Sequence, residues 1–310
     1  MMKKLYIIFI LMIACFVSCN KDIIETVKEV KVNNNKLQSF LLALYDKNKD
    51  GKLSEEEALD VTQINITFSQ EPLDGLENFP NLEMLVVTGG EFTTLDVSKN
   101  FKLKDLFCRQ NKLTSLDLSN NSELELLACE SGELQYINLG GKPKLIKIYC
   151  AGNKLTSLDV NGCPNLNLLY CSVNLLTEIN VSNNSNLEWL SCSNNKITTI
   201  DVTKNQKLKY FHCFKNIALT SFDLSNNTEL LEFSCEGNLS ITHLDVSNNS
   251  KLENLNCSSM KNITTLDVSH NLNLEELHCH FNDNLNTIYL KTGQTLQRLN
   301  KDDHTTIVYL

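Results

Sequence analysis

Nine cysteines recur along this chain at a nearly constant spacing, and that spacing constrains the fold more than any other feature. Five successive intervals are 21 residues long, and the last three are 22 residues long. A fixed period of this length is the signature of a repeat protein in which each repeat stacks on its neighbours. The series is Cys108, Cys129, Cys150, Cys171, Cys192, Cys213, Cys235, Cys257 and Cys279.

Each of these cysteines belongs to the pattern Leu-x-x-Leu-x-Cys-x-x-Asn, and a second block, exemplified by residues 113–121, follows it. Alternation in the first block predicts a short strand that sends Leu106 and Cys108 into the core and Phe107 outward. We expect the ninth-position Asn, replaced by Gly132 and Met260 in two repeats, to satisfy backbone groups at a turn. Twelve rungs are predicted, with atypical end rungs as caps and the extra residue of the longer repeats in a loop. They begin near residues 61, 82, 103, 124, 145, 166, 187, 208, 230, 252, 274 and 296.

These blocks resemble leucine-rich repeats, in particular the cysteine-ladder repeats of internalin J and of Bacteroidota repeat lipoproteins. The resemblance covers roughly residues 61–300. It implies a right-handed solenoid over residues 61–310, with a parallel sheet on the concave side and short turns or irregular structure on the convex side. Members of this family commonly bind proteins or host surfaces, so binding is expected here too.

The repeated cysteines are expected to act as small buried hydrophobic residues. An odd column cannot pair fully in disulfides, and a spacing of 21 residues matches no zinc motif. Cys163 lies outside the series, in the turn-like sequence Asn161-Gly162-Cys163-Pro164. We expect its thiol to be exposed and to be the reactive one.

The N-terminus has Lys3 and Lys4 followed by an apolar run over residues 5–17, which is typical of a signal peptide and short for a membrane span. The end of this run resembles the lipobox of bacterial lipoproteins. That resemblance implies a signal peptide over residues 1–18, a lipid on Cys19 and a tether over residues 19–34. Cys15 is an alternative acylation site, and a plain signal peptide is an alternative reading. The chain is therefore expected to be exported and anchored in the outer membrane, with periplasmic and surface exposure both open.

Residues 46–57 match the loop of an EF-hand. The loop predicts a Ca²⁺ site within a small helical cap over residues 35–60, and an acidic loop without metal is the alternative. A single hand is expected to stiffen the cap, because a sensor usually needs paired hands. Gly51 would permit the sharp turn and Leu53 would anchor the loop in the core. The preceding helix should bury Leu37, Phe40, Leu41 and Leu44. The ligands would be the side chains of Asp46, Asn48, Asp50, Ser54 and Glu57 and the backbone carbonyl of Lys52.

A column of aspartates marks the second block and is interrupted by Asn138 and Asn180. Stacked like charges repel, so these residues either cap turns through their side chains or collect cations. The Ser and Asn that follow favour turns. The column is Asp96, Asp117, Asp159, Asp201, Asp223, Asp245 and Asp267.

Charge and motif content narrow the function. The chain has 28 Lys and Arg against 37 Asp and Glu, a net charge of −9, and no basic run that would bind a phosphate backbone. Nucleic acid is therefore excluded as a partner. No nucleophile elbow, phosphate-binding glycine loop or metalloprotease helix occurs, so we do not expect an enzyme.

Large aromatic residues occupy the outward strand positions of the middle rungs. Such a patch is unusual on a soluble monomer, and Tyr and Trp dominate protein interfaces and stack on sugars. The predicted function is recognition of a protein or a glycan on the concave face. The alternatives are aromatics that merely favour strands and a structural or scaffolding envelope lipoprotein. The predicted ligand site comprises Phe107, Tyr149, Tyr170, Trp189, Tyr210, His212 and Phe214.

Overall fold

The computed structural model describes residues 28–67 and 72–310. Cys15, Cys19 and the predicted signal peptide lie outside the described residues. Two helices open the described part, α1 (Asn35–Tyr45) and α2 (Glu55–Ala58), and a 3-10 turn spans Leu76–Asn78. No helix in residues 28–67 or 72–310 has the length and apolar character needed to cross a membrane.

Seventeen parallel strands, each three to five residues long, follow in the described part of the chain. Their bounds are β1 (Gln63–Thr67), β2 (Met84–Thr88), β3 (Asp105–Phe107), β4 (Ser115–Asp117), β5 (Leu126–Ala128), β6 (Tyr136–Asn138), β7 (Lys147–Tyr149), β8 (Leu168–Tyr170), β9 (Trp189–Ser191), β10 (Tyr210–His212), β11 (Glu232–Ser234), β12 (Asn254–Asn256), β13 (Thr265–Asp267), β14 (Glu276–His278), β15 (Thr287–Leu290), β16 (Arg298–Asn300) and β17 (Thr306–Tyr309).

Twelve of these strands form one parallel sheet, called here the long sheet, in the order β1-β2-β3-β5-β7-β8-β9-β10-β11-β12-β14-β16. The twelve predicted rungs are therefore confirmed. On the opposite side, the second blocks of the described residues form short strands in two places, β4-β6 and β13-β15-β17. The other second blocks run through turns.

The register of the long sheet places equivalent residues of successive rungs opposite each other. Leu106 pairs with Leu127 across a 21-residue repeat, and Phe211 pairs with Phe233 across a 22-residue repeat. The extra residue therefore lies outside the strand, as predicted. Because the extra residue does not shift the register, outward side chains also align from rung to rung.

The core is a continuous stack of the inward leucines and cysteines. All ten cysteines of the described part of the chain are free and buried. Burial raises the pKa of Cys171 to about 12, so its thiol stays protonated at neutral pH. The expectation that the repeated cysteines act as small hydrophobic residues is confirmed.

The ninth-position asparagines form a buried ladder that bonds adjacent rungs. The Nδ2 of Asn195 donates to the carbonyls of Cys171 (3.1 Å) and Cys192 (2.9 Å). Its Oδ1 accepts from the backbone N–H of Leu176 at 3.0 Å. Both amide atoms thus satisfy backbone groups that the turn leaves unpaired, which confirms the predicted role.

A second asparagine ladder, which the sequence analysis did not identify, closes the second block of each rung. The Nδ2 of Asn205, for example, donates to the carbonyls of Val181 (3.0 Å) and Asn184 (2.9 Å). Lys142 and Cys163 occupy this column in two successive rungs, and both are fully buried. The members bonded in this way are Asn100, Asn121, Asn184, Asn205, Asn227, Asn249 and Asn271.

The prediction that Cys163 is exposed and reactive is wrong. Its side chain points into the second ladder and has no solvent exposure. Burial raises the pKa of the thiol to about 11, and the protonated thiol is a poor nucleophile. The local sequence resembles a surface turn, but the position belongs to an inward column.

The aspartate column caps turns. The backbone N–H of Ser119 donates to Oδ1 of Asp117, and that of Ser247 donates to Oδ1 of Asp245, both at 2.9 Å. Asn180 accepts in the same way from Ser182 at 3.0 Å. The predicted turn-capping role of this column is therefore confirmed.

Candidate functional site

Each strand of the long sheet presents its first and third side chains outward, and the five-residue strands β1 and β2 also present their fifth. The register aligns these positions in two lanes that run across the rungs. In the first lane Trp189 lies between Leu168 and Tyr210, and Tyr210 lies next to Glu232. In the second lane Tyr149 is opposite Tyr170, Tyr170 is opposite Ser191, and Ser191 is opposite His212.

Five of the predicted ligand-binding residues come together on β7 to β10. The rings of Trp189 and Tyr210 stack with centroids 4.4 Å apart and planes 25° apart. The ring of His212 meets Trp189 edge-on at 5.7 Å. Stacked and edge-on ring pairs are individually favourable, so Trp189, Tyr210 and His212 support one another's positions. We call Tyr149, Tyr170, Trp189, Tyr210 and His212 the aromatic patch.

The other two predicted residues stand apart from the patch. Phe107 is separated from Tyr149 by the rung of Ala128, and its ring faces the Arg109 guanidinium at 5.7 Å. Phe214 follows the end of β10. Within residues 28–67 and 72–310 no ring contact joins either side chain to the patch.

The patch is less exposed than the sequence suggested. Tyr170 is 37% exposed, whereas the other four members are half-buried. The reason is that small residues also occupy outward positions: Ser191 is 2% exposed and Ala128 is fully buried. Larger neighbours in the same lane cover them. The patch therefore offers ring edges and partial faces rather than fully free rings.

A polar recess of about 460 Å³ adjoins the patch on β11, β12 and β14. Its wall nearest the patch is Glu232, whose Oε1 lies 2.8 Å from Nε2 of His212. Asn254 and Asn256 form the floor, and Glu276 and His278 form the far wall. We call this feature the acidic recess. Sequence reasoning missed it, because each of its Glu and Asn residues, taken alone, is ordinary on a soluble surface.

The predicted calcium loop has the oxygen-rich composition that Ca²⁺ prefers. Gly51 adopts a left-handed conformation with φ of 80°, and its N–H donates to Oδ2 of Asp46 at 3.0 Å. Asn48 Oδ1 and Asp46 Oδ1 both accept from the backbone N–H of Asp50. Asp46, Asn48 and Asp50 thus face the same loop backbone.

Glu57 ends this loop in a different arrangement. Its carboxylate accepts from the backbone N–H of Lys47 (2.8 Å) and of Ser54 (2.9 Å). Hydrogen bonds from Ser54 are the main reason that its pKa is lowered. As placed, no three acidic, His or Cys side chains of the described residues form a group that could hold a metal. To ligate a calcium ion, Glu57 would have to leave these hydrogen bonds to the backbone. The other two predicted ligands, Ser54 and the Lys52 carbonyl, lie in the same loop.

Residues 28–34, which fall in the predicted tether, pack against this cap. The backbone N–H of Val30 donates to the carbonyl of Leu53 at 2.8 Å, and Leu53 is buried as predicted. Asn34 caps α1 by accepting from the backbone N–H of Leu37 at 2.9 Å. Helix α1 buries Leu37 and Leu41, but Leu44 is 63% exposed, so its expected burial is wrong.

Solved structures similar to this chain are leucine-rich-repeat proteins, whereas no family model and no curated protein matches it. A leucine-rich-repeat protein of Leptospira interrogans is 22% identical with a TM-score of 0.68, covering 83% of this chain and 70% of that one. An internalin, inlF, of Listeria monocytogenes is 20% identical with a TM-score of 0.60, covering 87% and 91%. The chain therefore folds as a leucine-rich-repeat solenoid, as predicted.

Proposed function

We propose that this chain is a non-catalytic recognition module that binds a protein or a glycan with the aromatic patch of its long sheet. The observation that carries this proposal is the stacked pair Trp189 and Tyr210 beside the exposed ring of Tyr170. Trp and Tyr combine a large apolar area with a polar handle, and they are the side chains that most often anchor interfaces.

The distribution of aromatic residues favours binding over simple strand propensity. Strand propensity alone would spread aromatic residues over all twelve strands of the long sheet. Outward Phe, Tyr and Trp rings within its strands are instead confined to β3 and β7 to β10, whereas β1, β11, β12 and β16 present polar side chains. The fold that this chain shares with bacterial internalins supports a binding role in general terms.

Paired substitutions test the proposal in the full-length chain. Tyr170→Ala with Trp189→Ala should abolish capture of a partner from the native cell envelope or its surroundings. Each truncated anchor costs about 2 kcal/mol, roughly a thirtyfold loss of affinity. The matched control is Phe101→Ala with Tyr136→Ala, because those rings are 53% and 55% exposed and lie off the long sheet. Capture that survives the first pair, or that fails equally in both, would favour the scaffolding alternative.

We further propose that the module is exported and held at the outer membrane by a lipid on Cys19. The support is the signal-like sequence before Cys19 and its similarity to a lipobox. Mass spectrometry of the full-length protein and of Cys19→Ala tests this, since the acyl mass should vanish in the variant. An unchanged acyl mass would place the lipid elsewhere, with Cys15 the first candidate.

Calcium binding to residues 46–57 is the third part of the proposal. The oxygen donors of the loop and the left-handed Gly51 support it. The ion would be held by Asp46, Asn48, Asp50, Ser54, Glu57 and the Lys52 carbonyl, and it would stiffen the cap.

A further inference from the structure

We propose that the ligand of the long sheet is a polypeptide segment that carries Lys or Arg side chains beside an apolar or aromatic residue. The inference rests on the proposed recognition function and names the class of ligand. It follows from the acidic recess next to the aromatic patch, which that function did not use.

Negative charge is concentrated on one half of the long sheet. At the outward strand positions of β11, β12, β14 and β16, and at the residue before and the second residue after each strand, Arg298 is the only Lys or Arg among the described residues; Lys301 directly follows β16. Five glutamates share those positions. They are Glu232, Glu236, Glu253, Glu275 and Glu276.

The preceding half of the sheet is nearly balanced at the same positions of β2, β3, β5 and β7. Acidic and basic residues there form ion pairs, such as Lys104 with Glu83 at 2.9 Å and Arg109 with Glu130 at 2.6 Å. The excess of negative charge on β11, β12, β14 and β16 is therefore confined to one half of the long sheet. The acidic residues at these positions are Glu83, Asp105, Glu125 and Glu130, and the basic residues are Lys104, Arg109 and Lys147.

Few permanent cations contact the carboxylates of the acidic recess or the nearby Glu236. Glu232 is bonded to the His212 ring, and Glu236 accepts from Nδ2 of the neutral Asn256 at 3.1 Å. Glu276 alone contacts a permanent cation, Arg298, at 3.1 Å. The side chains of Glu232 and Glu276 are 39% and 33% exposed, so an incoming cation could reach both.

The distance between patch and recess suits a long basic side chain. Tyr210 and Glu232 are opposite each other on adjacent strands, which lie about 4.8 Å apart. The methylene stem of a lysine can lie on an aromatic ring while its ammonium group extends to a carboxylate. A neighbouring apolar residue of the same segment would then contact Trp189 or Tyr170.

The charge also argues against the other ligand classes. An anionic ligand would meet five like charges, and such repulsion is a common basis of rejection. A neutral glycan could donate hydroxyl hydrogen bonds to the carboxylates but would supply no counter-ion, so it would offset less of the cost of desolvating their charge. A basic peptide avoids both penalties.

The single tryptophan of the chain allows a direct test. The emission of Trp189 in the full-length protein is followed while a short peptide of Lys, Ser and one central Phe is added. Matched peptides carry Glu or Gln in place of Lys, and neutral oligosaccharides of glucose and of N-acetylglucosamine complete the set. Calorimetry on the same mixtures detects binding that leaves the emission unchanged.

We expect the Lys peptide to bind, to change the emission and to weaken as salt is added, because exposed charges are screened. Glu232→Gln with Glu276→Gln should lower its affinity about tenfold or more. The control Glu77→Gln with Glu178→Gln removes two exposed charges that lie off the long sheet, and it should leave the affinity within about twofold.

Three results would overturn the inference: no binding of the Lys peptide by either method, equal affinity of the Lys and Glu peptides, or equal loss in the control pair. Binding of a neutral oligosaccharide that depends on Trp189 but not on Glu232 and Glu276 would also overturn it. That last result would leave the proposed recognition function standing. The function itself is contradicted if the variant Tyr170→Ala with Trp189→Ala still captures the partner.

Discussion

Asparagine at two positions of each rung bonds the solenoid internally, but the two ladders use different atoms. In the first ladder Asn195 bonds through both its amide nitrogen and its amide oxygen. In the second ladder the amide nitrogen of Asn205 donates twice, whereas its buried Oδ1 has no partner. A buried polar atom without a partner lowers stability, so the first ladder should contribute more per residue.

Alanine substitutions should separate the two ladders. Asn195→Ala takes the acceptor from the buried N–H of Leu176 and one of two asparagine donors from each of the carbonyls of Cys171 and Cys192. It should lower the free energy of unfolding by about 3 kcal/mol, at roughly 1 kcal/mol per lost hydrogen bond. Asn205→Ala removes two donors together with the unpaired oxygen, so its cost should be smaller. Urea denaturation measures both, with the exposed Asn183→Ala as a control near zero. Equal losses at Asn195 and Asn205 would contradict this account.

The aspartate turns predict a loss of stability in acid. Hydrogen bonds from the side chain and backbone of Ser247 lower the pKa of Asp245 below its ordinary value. A lowered carboxyl pKa contributes stability above the ordinary value, and that contribution is lost as pH falls through the folded-state value. The melting temperature of the wild type should therefore fall below about pH 4. Asp245→Asn keeps the turn, as Asn180 shows, and should flatten part of this fall.

Residue identity alone misled the sequence analysis at Cys163. Its neighbours Gly162 and Pro164 are turn residues, and they suggested exposure. Counting 21 residues forward and back places it in the column of Asn184 and the buried Lys142. The repeat period therefore carried the correct answer, whereas the local turn signal did not. Burial also lowers the pKa of Lys142.

At the scale of elements, the cap is built around the segment that precedes α1. The carbonyl and N–H groups of Lys28, Val30, Leu53 and Glu55 form a short antiparallel contact that links this segment to the loop before α2. The same loop contains the proposed calcium ligands. Any ion that orders the loop is therefore expected to stabilise the segment leading to the proposed lipid anchor.

Calcium should raise the melting temperature of the full-length protein relative to chelator, because a ligand that binds only the folded state stabilises it. The increment should disappear in Glu57→Gln. That substitution also disturbs the bonds to Lys47 and Ser54, so each variant is compared with itself in calcium and in chelator. Asp283→Asn, an exposed change in the solenoid, is the control that should keep the increment. An equal increment in Glu57→Gln would contradict the calcium site.

The elements themselves were largely predictable. The period predicted the twelve strands of the long sheet, and alternation predicted which side chains they bury. The short strands β4, β6, β13, β15 and β17 were not predicted, because the second blocks share one pattern and differ only in local backbone pairing. Leu44 was misplaced because a helix of eleven residues buries only the turns that contact β1.

At the scale of the whole molecule, the outward surface of the long sheet has two chemically distinct neighbouring regions, the aromatic patch and the acidic recess. The aromatic patch was predictable because its members occur at two outward repeat positions. The acidic recess was not, since single outward Glu and Asn residues are ordinary on a soluble surface. Only the register, which aligns Tyr210 with Glu232 and Asn254 with Glu276, shows that they meet.

The central claim is that a partner contacts the aromatic patch. The most direct test labels the single tryptophan with 5-fluorotryptophan and records its fluorine NMR resonance as the captured partner is added. We expect the Trp189 resonance to shift or broaden in proportion to the bound fraction measured by calorimetry. The control variant Phe101→Ala with Tyr136→Ala should show the same change. A partner that binds by calorimetry while the resonance stays unchanged would contradict the claim.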